Sequence, residues 1–371
     1  EYKEIISTYE KRHLKDLPLL ITGLSEGAGA AFYASFIGDK KGTVPALLVV
    51  PSEKEAYRLV AGLNDFGVTA QFYNVRDFVL RQINSSHEFE QSRIAALYSI
   101  IMGACDVVIT TPDALMQYTI PKDYLKQNCV EISINGNYDI SKLCSYLTRC
   151  GYKNAEMVDA PGQFSQRGGI LDVFPFTDDY AYRIEFFDTE IDRMSYFDVI
   201  TQRREDDVDS ITILPVREVL AGEDKKEILL EYTMSCMRKA KGKVRDDLYA
   251  ENAAIRDGRD LLCVDKYLGI IYHKKTCLLD YFDKSSLVIV QNYPAVVERA
   301  KFFETQINEE VLSLQKEGLI SAPYNEFFMK FSLFDQLLAQ SNIVFDDAVM
   351  HNCKTAVVGK MRMRIFLRWR S

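Results

Sequence analysis

The sequence predicts an α/β fold in three parts: a parallel-sheet domain of P-loop type whose loop is degenerate, an α+β insert, and a mostly helical companion. Three observations carry this. The first third alternates short apolar runs with amphipathic helical stretches, the pattern of a parallel sheet covered by helices. From about residue 125 strand follows strand, with turn residues between. From 216 to 283 the chain is helix-rich and charged, and one apolar strand then returns at 285–292. The parts are accordingly 1–124 with about 284–345, then 125–215, then 216–283, with 346–371 left as an unassigned basic tail.

"PLLITGL" (18–24) reads as the first buried strand, and "GLSEGAGAAF" follows where a βα turn belongs. That turn has the outline of a phosphate-binding loop, G-x-x-x-x-G-K-[ST], in which backbone amides cradle phosphates, a lysine reaches the outer ones and a hydroxyl ligates magnesium. With Gly23 as the first glycine, the second falls on Ala28, the lysine on Gly29 and the hydroxyl on Ala30. The frame is kept and the chemistry is missing. The residues themselves suit a tight βα bend with close helix–sheet packing.

"PALLVVP" is the second strand, and Ser52 with Glu55 forms a capping box for the helix "EKEAYRLVAGLNDF", which Gly67 ends. In "SRIAALYSIIMG", Ile94, Leu97, Tyr98 and Ile101 recur at helical spacing and Gly103 closes the helix. "CDVVITTPDAL" is a further buried strand and turn. In the insert, "CVEISI" is a strand and "DISKLCSYLTRC" a helix with Asp139 as N-cap and Gly151 as its stop. The strands "GGILDVFPF", "YRIEFFD", "EIDRMSYFDV" and "SITILP" follow, with "FFDTEIDRM" as a hairpin. After the helix-rich segment, "SSLVIVQN" rejoins the first sheet, and "PAVVERAKFFETQINEEVLSLQKEG" and "NEFFMKFSLFDQLLAQS" are long amphipathic helices.

Composition narrows the function classes. Formal net charge is −8, yet the last twenty residues carry six cations and no acid, so the preceding 351 carry −14. An acidic body argues against a broad nucleic-acid surface, which needs a field of Lys and Arg. The eight cysteines show no C-x-x-C pair and the four histidines lie far apart, so we expect reduced thiols and no metal. The N-terminal "EYKEIISTYEKRHLKDL" is charged and helix-patterned, and no apolar run has membrane-spanning length, so a cytoplasmic protein without a membrane contact is expected. The closing "GKMRMRIFLRWRS" fits none of the predicted parts and is given no function.

"APGQFSQRGGILDVFPF", "YRIEFFDTEIDRMSYFDVITQRR" and "LLDYF" resemble the amino-terminal module of the bacterial transcription-repair coupling factors, a module itself similar to the excision-repair helicase UvrB. The resemblance covers roughly residues 15–345. It implies UvrB-like domains 1a, 2 and 1b, with the insert as the domain that docks onto the damage-recognition subunit UvrA. It also implies a parent protein that is an ATP-driven DNA translocase displacing stalled RNA polymerase. The strand that would end in a magnesium-holding Asp-Glu pair in an active relative ends here in Val290 and Gln291. With Gly29 in the lysine position, both the charge facing a triphosphate and the carboxylate holding the metal are gone. The chain is therefore expected to be no ATPase, to need no cofactor, and to act as a monomeric recruitment module. Contacts with RNA polymerase and duplex DNA fall to other parts of the parent. The rivals are an active UvrB-like ATPase and a stand-alone nucleic-acid binder.

Three residues match the family's UvrA-contact positions: Arg167, Arg183 and Phe187. Strand alternation puts Ile184 and Phe186 on the core side of "YRIEFFD" and Arg183, Glu185 and Phe187 on the other. An aromatic among arginines is the composition of an interface hot spot. Two plainer readings stay open at this point: Arg167 bracing a hairpin, and Phe187 packing under the preceding helix. The "TQR" run at 201–203 fixes the strand exit, with Arg203 and Arg204 as a weaker extension of a basic strip.

Overall fold

A computed structural model describes residues 19–22, 29–38, 44–78, 88–134, 136–259, 261, 263–283, 285–320, 326–338, 343–345, 354–358 and 361–365. The chain opens with strand β1 (Leu19–Thr22), helix α1 (Gly29–Gly38), strand β2 (Ala46–Val49), helix α2 (Glu53–Asp65), strand β3 (Ala70–Tyr73), helix α3 (Glu88–Met102) and strand β4 (Val107–Thr110). Two short helices follow, α4 (Pro112–Met116) and α5 (Lys122–Gln127). Local chemistry sets the boundaries. Ser52 accepts a hydrogen bond from the Glu55 amide, and Gly67 and Gly103 adopt positive φ where α2 and α3 end. The reciprocal half of the Ser52 capping box is absent, because the Glu55 carboxylate instead accepts from Arg58 and from Gln291.

The insert holds β5 (Val130–Ser133), helix α6 (Ile140–Arg149), then β6 (Lys153–Asn154), β7 (Gln163–Arg167), β8 (Ile170–Phe174), β9 (Ala181–Phe187), β10 (Glu190–Phe197), β11 (Arg204–Asp207) and β12 (Ser210–Ile213). Asp139 caps α6 through the amides of Ser141 and Lys142. Strands β6 to β11 form one sheet in the order β11-β10-β9-β8-β7-β6, and β12 returns to pair antiparallel with β5 beside it. The inner face of this sheet, with Phe164, Leu171, Val173, Ile184 and Met194, closes on Leu143 and Leu147 of α6.

The companion carries helices α7 (Lys226–Met237), α8 (Lys243–Asp257) and the short α9 (Leu268–Ile271), with 3₁₀ turns between them. Strand β13 (Val288–Gln291), helix α10 (Tyr293–Glu317), helix α11 (Phe331–Leu338), β14 (Ile343–Phe345), β15 (Lys354–Val358) and β16 (Met361–Ile365) complete the chain. The large sheet runs β15-β16-β1-β14-β13-β2-β4-β3. From β1 to β3 every pairing is parallel, and the β15–β16 hairpin adds to β1 in antiparallel sense. The central strands β2 and β4 are buried on both faces, as strands of parallel sheets are. Leu48, Val107, Ile109 and Ile289 meet Phe32, Phe36, Leu59 and Leu63 of α1 and α2 on one side. Leu47, Val49, Val108 and Val290 join a core continuous with α3, α10 and the companion helices on the other.

Two expectations change. Strand 288–291 does rejoin the first sheet, but residues 326–330 of the predicted last helix are extended, and only Phe331–Leu338 is helical. The reason is tertiary: the Tyr118 amide donates to the Phe327 carbonyl and the Met329 amide to the Met116 carbonyl, so the backbone there is already paired across to the end of α4. Residues 354–358 and 361–365, within the stretch the sequence leaves as a basic tail, are strands of the large sheet.

One buried polar cluster ties the parts together. Arg93 of α3 donates to both carboxylate oxygens of Glu218, at 2.5 and 3.3 Å, and to the Gln117 side chain and the Asn74 carbonyl. Thr119 also donates to Glu218, whose own amide donates to Glu90. Arg76 reaches Glu218, Glu90 and, from the companion, Asp265. Burial pulls the Arg76 guanidinium down, but the Asp265, Glu218 and Glu90 carboxylates outweigh it and hold the group above its ordinary range. Glu218 sits just past the last insert strand; its carboxylate holds Arg93, Thr119 and Arg76 of the sheet domain, and Arg76 in turn reaches Asp265 of the companion.

Candidate partner-binding site

The outer face of the insert sheet is read from strand register. Ser165, Asp172, Arg183 and Ser195 stand opposite one another across β7, β8, β9 and β10. The next row toward the hairpin ends is Arg167, Ile170, Glu185 and Arg193. Phe187 pairs with Glu190 at the end of β9, where a two-residue turn begins with Asp188 at φ 61°. The neighbouring β7–β8 turn is Gly168–Gly169. A Cβ on Gly169 would lie 2.9 Å from the Phe186 carbonyl, so a side chain there would push the two hairpins apart.

Asp172 is the centre of the face. Its carboxylate is fully buried and receives Nε and one terminal nitrogen of Arg183 at 2.7 and 2.8 Å, and Arg167 at 2.8 Å. These hydrogen bonds hold the Arg183 guanidinium above its ordinary range. Arg183 also donates to the Gln202 carbonyl and lies 4.6 Å over the Phe197 ring. Gln202, at φ 57°, donates its amide to the Val158 and Val199 carbonyls. The lower half of the face is thereby covered, over a small core of Val158, Phe174, Ala181 and Phe197.

The upper half is open. The Arg167 side chain is 52% exposed, and Phe187 is 79% exposed. Around them Arg204 pairs with Glu185, and Arg193 with Asp207 at 2.7 and 3.0 Å, which lowers the Asp207 carboxyl below its usual range. The face thus presents one exposed aromatic among ion pairs. Of the three residues singled out in the sequence, Arg167 and Arg183 meet on one carboxylate and Phe187 stands beyond them on the same strand face. Phe187 is not packed under a helix. Arg167 does brace its hairpin, with half its surface still in solvent. Arg183 is mostly enclosed, so its part is to position the face. Asp172 was missed, although an acid amid the apolar "GILDVFPF" run, on the non-core alternation, was the available signal. The exposed Ile200 on the turn before Gln202 was missed as well.

At the loop-like turn, Gly23 and Ala28 lie outside the described residues. Gly29 is the buried first residue of α1, and Ala30 packs so closely on α2 that a Cβ on Gly62 would come 2.8 Å from its own. Val290 is buried, and the Gln291 amide donates to Glu55 at 3.0 Å. No grouping of His, Cys, Asp and Glu suited to a metal is found among the described residues, and no helix there is long and apolar enough to cross a membrane. The seven described cysteines are free, with burial pushing the thiols of Cys105, Cys263 and Cys277 up to about 12.

Residues 130–218 match the UvrB interaction domain, a span that contains the whole face and ends on Glu218. Over 342 residues, 88% of the chain, it is 25% identical to the transcription-repair-coupling factor of Staphylococcus epidermidis. It is 26% identical to that of Bacillus subtilis over 313 residues, 81% of the chain, and 24% identical to that of Staphylococcus aureus over 347 residues, 89% of the chain. The chain spans 28%, 26% and 29% of the length of these relatives. A UvrB interaction domain set within a chain that is similar over most of its length to transcription-repair-coupling factors supports reading it as an amino-terminal module of that kind.

Proposed function

We propose that the chain is the UvrA-recruiting module of a transcription-repair coupling factor, acting in transcription-coupled excision repair. The observation that carries this is Phe187, a large aromatic left in solvent on a braced sheet face within the UvrB interaction domain. An aromatic side chain has few rotatable bonds and so loses little conformational entropy on docking, and the surrounding charge pairs can exclude water at the rim. The module has three parts, bounded near 125, 216 and 284, and works as a cytoplasmic monomer. ATP-driven translocation and the removal of stalled RNA polymerase belong to the parent protein and its other regions, as do the contacts with duplex DNA. A pull-down of purified UvrA by this chain tests the reading; no capture at micromolar concentrations, with the chain folded, would overturn it.

The first part is a P-loop-type domain that has lost its chemistry. Gly29 offers no cation, Ala30 no hydroxyl, and Gln291 presents an amide engaged by Glu55 where a metal-holding acid would stand. Calorimetry with ATP and magnesium is expected to give weak binding at most and no turnover. Gly29→Lys alone should not restore activity, because the carboxylate is missing too and the new side chain would start from a buried helix position. Tight magnesium-dependent binding would favour the rival ATPase reading. The acidic body further leads us to expect little affinity for duplex DNA near 0.15 M salt. A salt-sensitive gel shift by the whole folded chain at that salt would refute that expectation.

A further inference from the structure

A cleft of about 710 Å³ opens between α6 of the insert and the companion helices α7 and α8, away from the outer sheet face. Its size falls within the range of small-ligand sites. Five cations line it, Lys142, Arg149, Arg217, Lys226 and Arg259, against one carboxylate, Glu223, among the described lining residues. In a chain whose body is acidic this is a local inversion of charge, and clefts lined by one sign over apolar walls focus their field.

Arg217 sits at the floor. It is buried, its guanidinium donates to the Leu261 carbonyl at 3.1 Å, and its stem lies against Gly151 so closely that a Cβ there would come 2.7 Å from Cγ. Gly151, at φ 90°, is thus required both by its backbone and by this contact. Val219, Leu229, Ile255 and Leu261 give the floor an apolar surface. At the rim, Lys142 and Arg149 are exposed on one face of α6, with Arg149 placed 5.5 Å over the Tyr146 ring. Lys226, half-buried, lies 3.7 Å from the exposed Glu223, and Arg259 lies 3.0 Å from Asp257 in an exposed pair that contributes little.

We propose that this cleft binds a small polyanion carrying two or more phosphate groups. Arginine forks and lysine ammoniums converging on one cavity match phosphate oxygens, which accept several charge-assisted hydrogen bonds at once. The ligand would touch the insert through α6 and the companion through Lys226 and Arg259, and so bridge the two. The described lining residues all fall between Ser141 and Val264 and owe nothing to magnesium.

Calorimetric titration of the whole chain with inorganic tripolyphosphate, and separately with ADP, both without magnesium, is the test. We expect one saturable site for at least one of them, weakening as salt rises. The exposed double substitution Lys142→Glu with Arg149→Glu should weaken binding at least about tenfold while the thermal transition is kept. Lys54→Glu, an exposed lysine on α2, should leave binding unchanged. Tighter ADP than tripolyphosphate would show that the apolar floor takes a base; equal or weaker ADP would show that the phosphate chain alone is held. Absence of saturable binding to either, or affinity unaltered in the double variant, would overturn the proposal. So would an acidic peptide binding as tightly as the phosphates.

Discussion

Glu218→Ala is expected to destabilise the protein by about 3–5 kcal/mol, the range for removing one partner of a buried ion pair and leaving the other uncompensated. Arg93 would keep its contacts to Gln117 and Asn74 but lose both carboxylate oxygens, inside a cluster where the arginine is fully buried. Arg76 would retain Asp265 and Glu90. Thr119 would lose its acceptor. The backbone links of residue 218, its amide to Glu90 and its carbonyl from Tyr272, would survive, so the failure should be electrostatic rather than a loss of chain path. Because a chain of several parts need not unfold in one step, the readout is the midpoint of urea unfolding by circular dichroism together with amide protection over α3 and residues 264–272. Protection should fall in both regions, which lie in different parts and share the cluster. A loss below about 1 kcal/mol, with protection unchanged, would mean that water or rearranged neighbours satisfy the arginines and that Glu218 does not join the parts.

How much of this was legible follows from how local each cause is. The caps at Ser52 and Asp139, the stops at Gly67, Gly103 and Gly151, and the two faces of β9 depend on a few adjacent residues, and alternation alone put Ile184 inward and Phe187 outward. β3 escaped because "AQFY" is too short and mixed for a period to emerge; it is defined by parallel pairing with β4. Residues 326–330 look helical by composition and are extended because α4 offers backbone partners. The Arg93–Glu218 pair joins residues 125 apart, and no spacing rule reaches that far. The candidate site divides the same way. Phe187 and Arg167 could be placed from strand pattern and family motif, whereas the conversion of Arg183 into a brace required Asp172 and Gln202 to arrive from two other elements.

Phe187→Ala is expected to weaken UvrA binding by about 2 kcal/mol or more, roughly 30-fold in affinity, as truncation of an aromatic anchor at an interface centre does. Stability should stay within about 0.5 kcal/mol of the parent, since a ring so exposed contributes little to the core. A buried ring would instead cost roughly 3–5 kcal/mol of stability and affect binding only through unfolding, so the two measurements on one variant separate an anchor from a core residue. Arg167→Ala makes a useful second probe. Asp172 keeps its two contacts from Arg183, the fold is held, and any loss of affinity reports on the guanidinium surface offered to the partner. Arg183→Glu is the poorer probe, because it would set a second carboxylate against buried Asp172 and should lower the melting temperature whatever its effect on UvrA. Unchanged affinity in both Phe187→Ala and Arg167→Ala, with the chain folded, would move the docking surface off this face, and the exposed Ile200 turn would become the next surface to mutate.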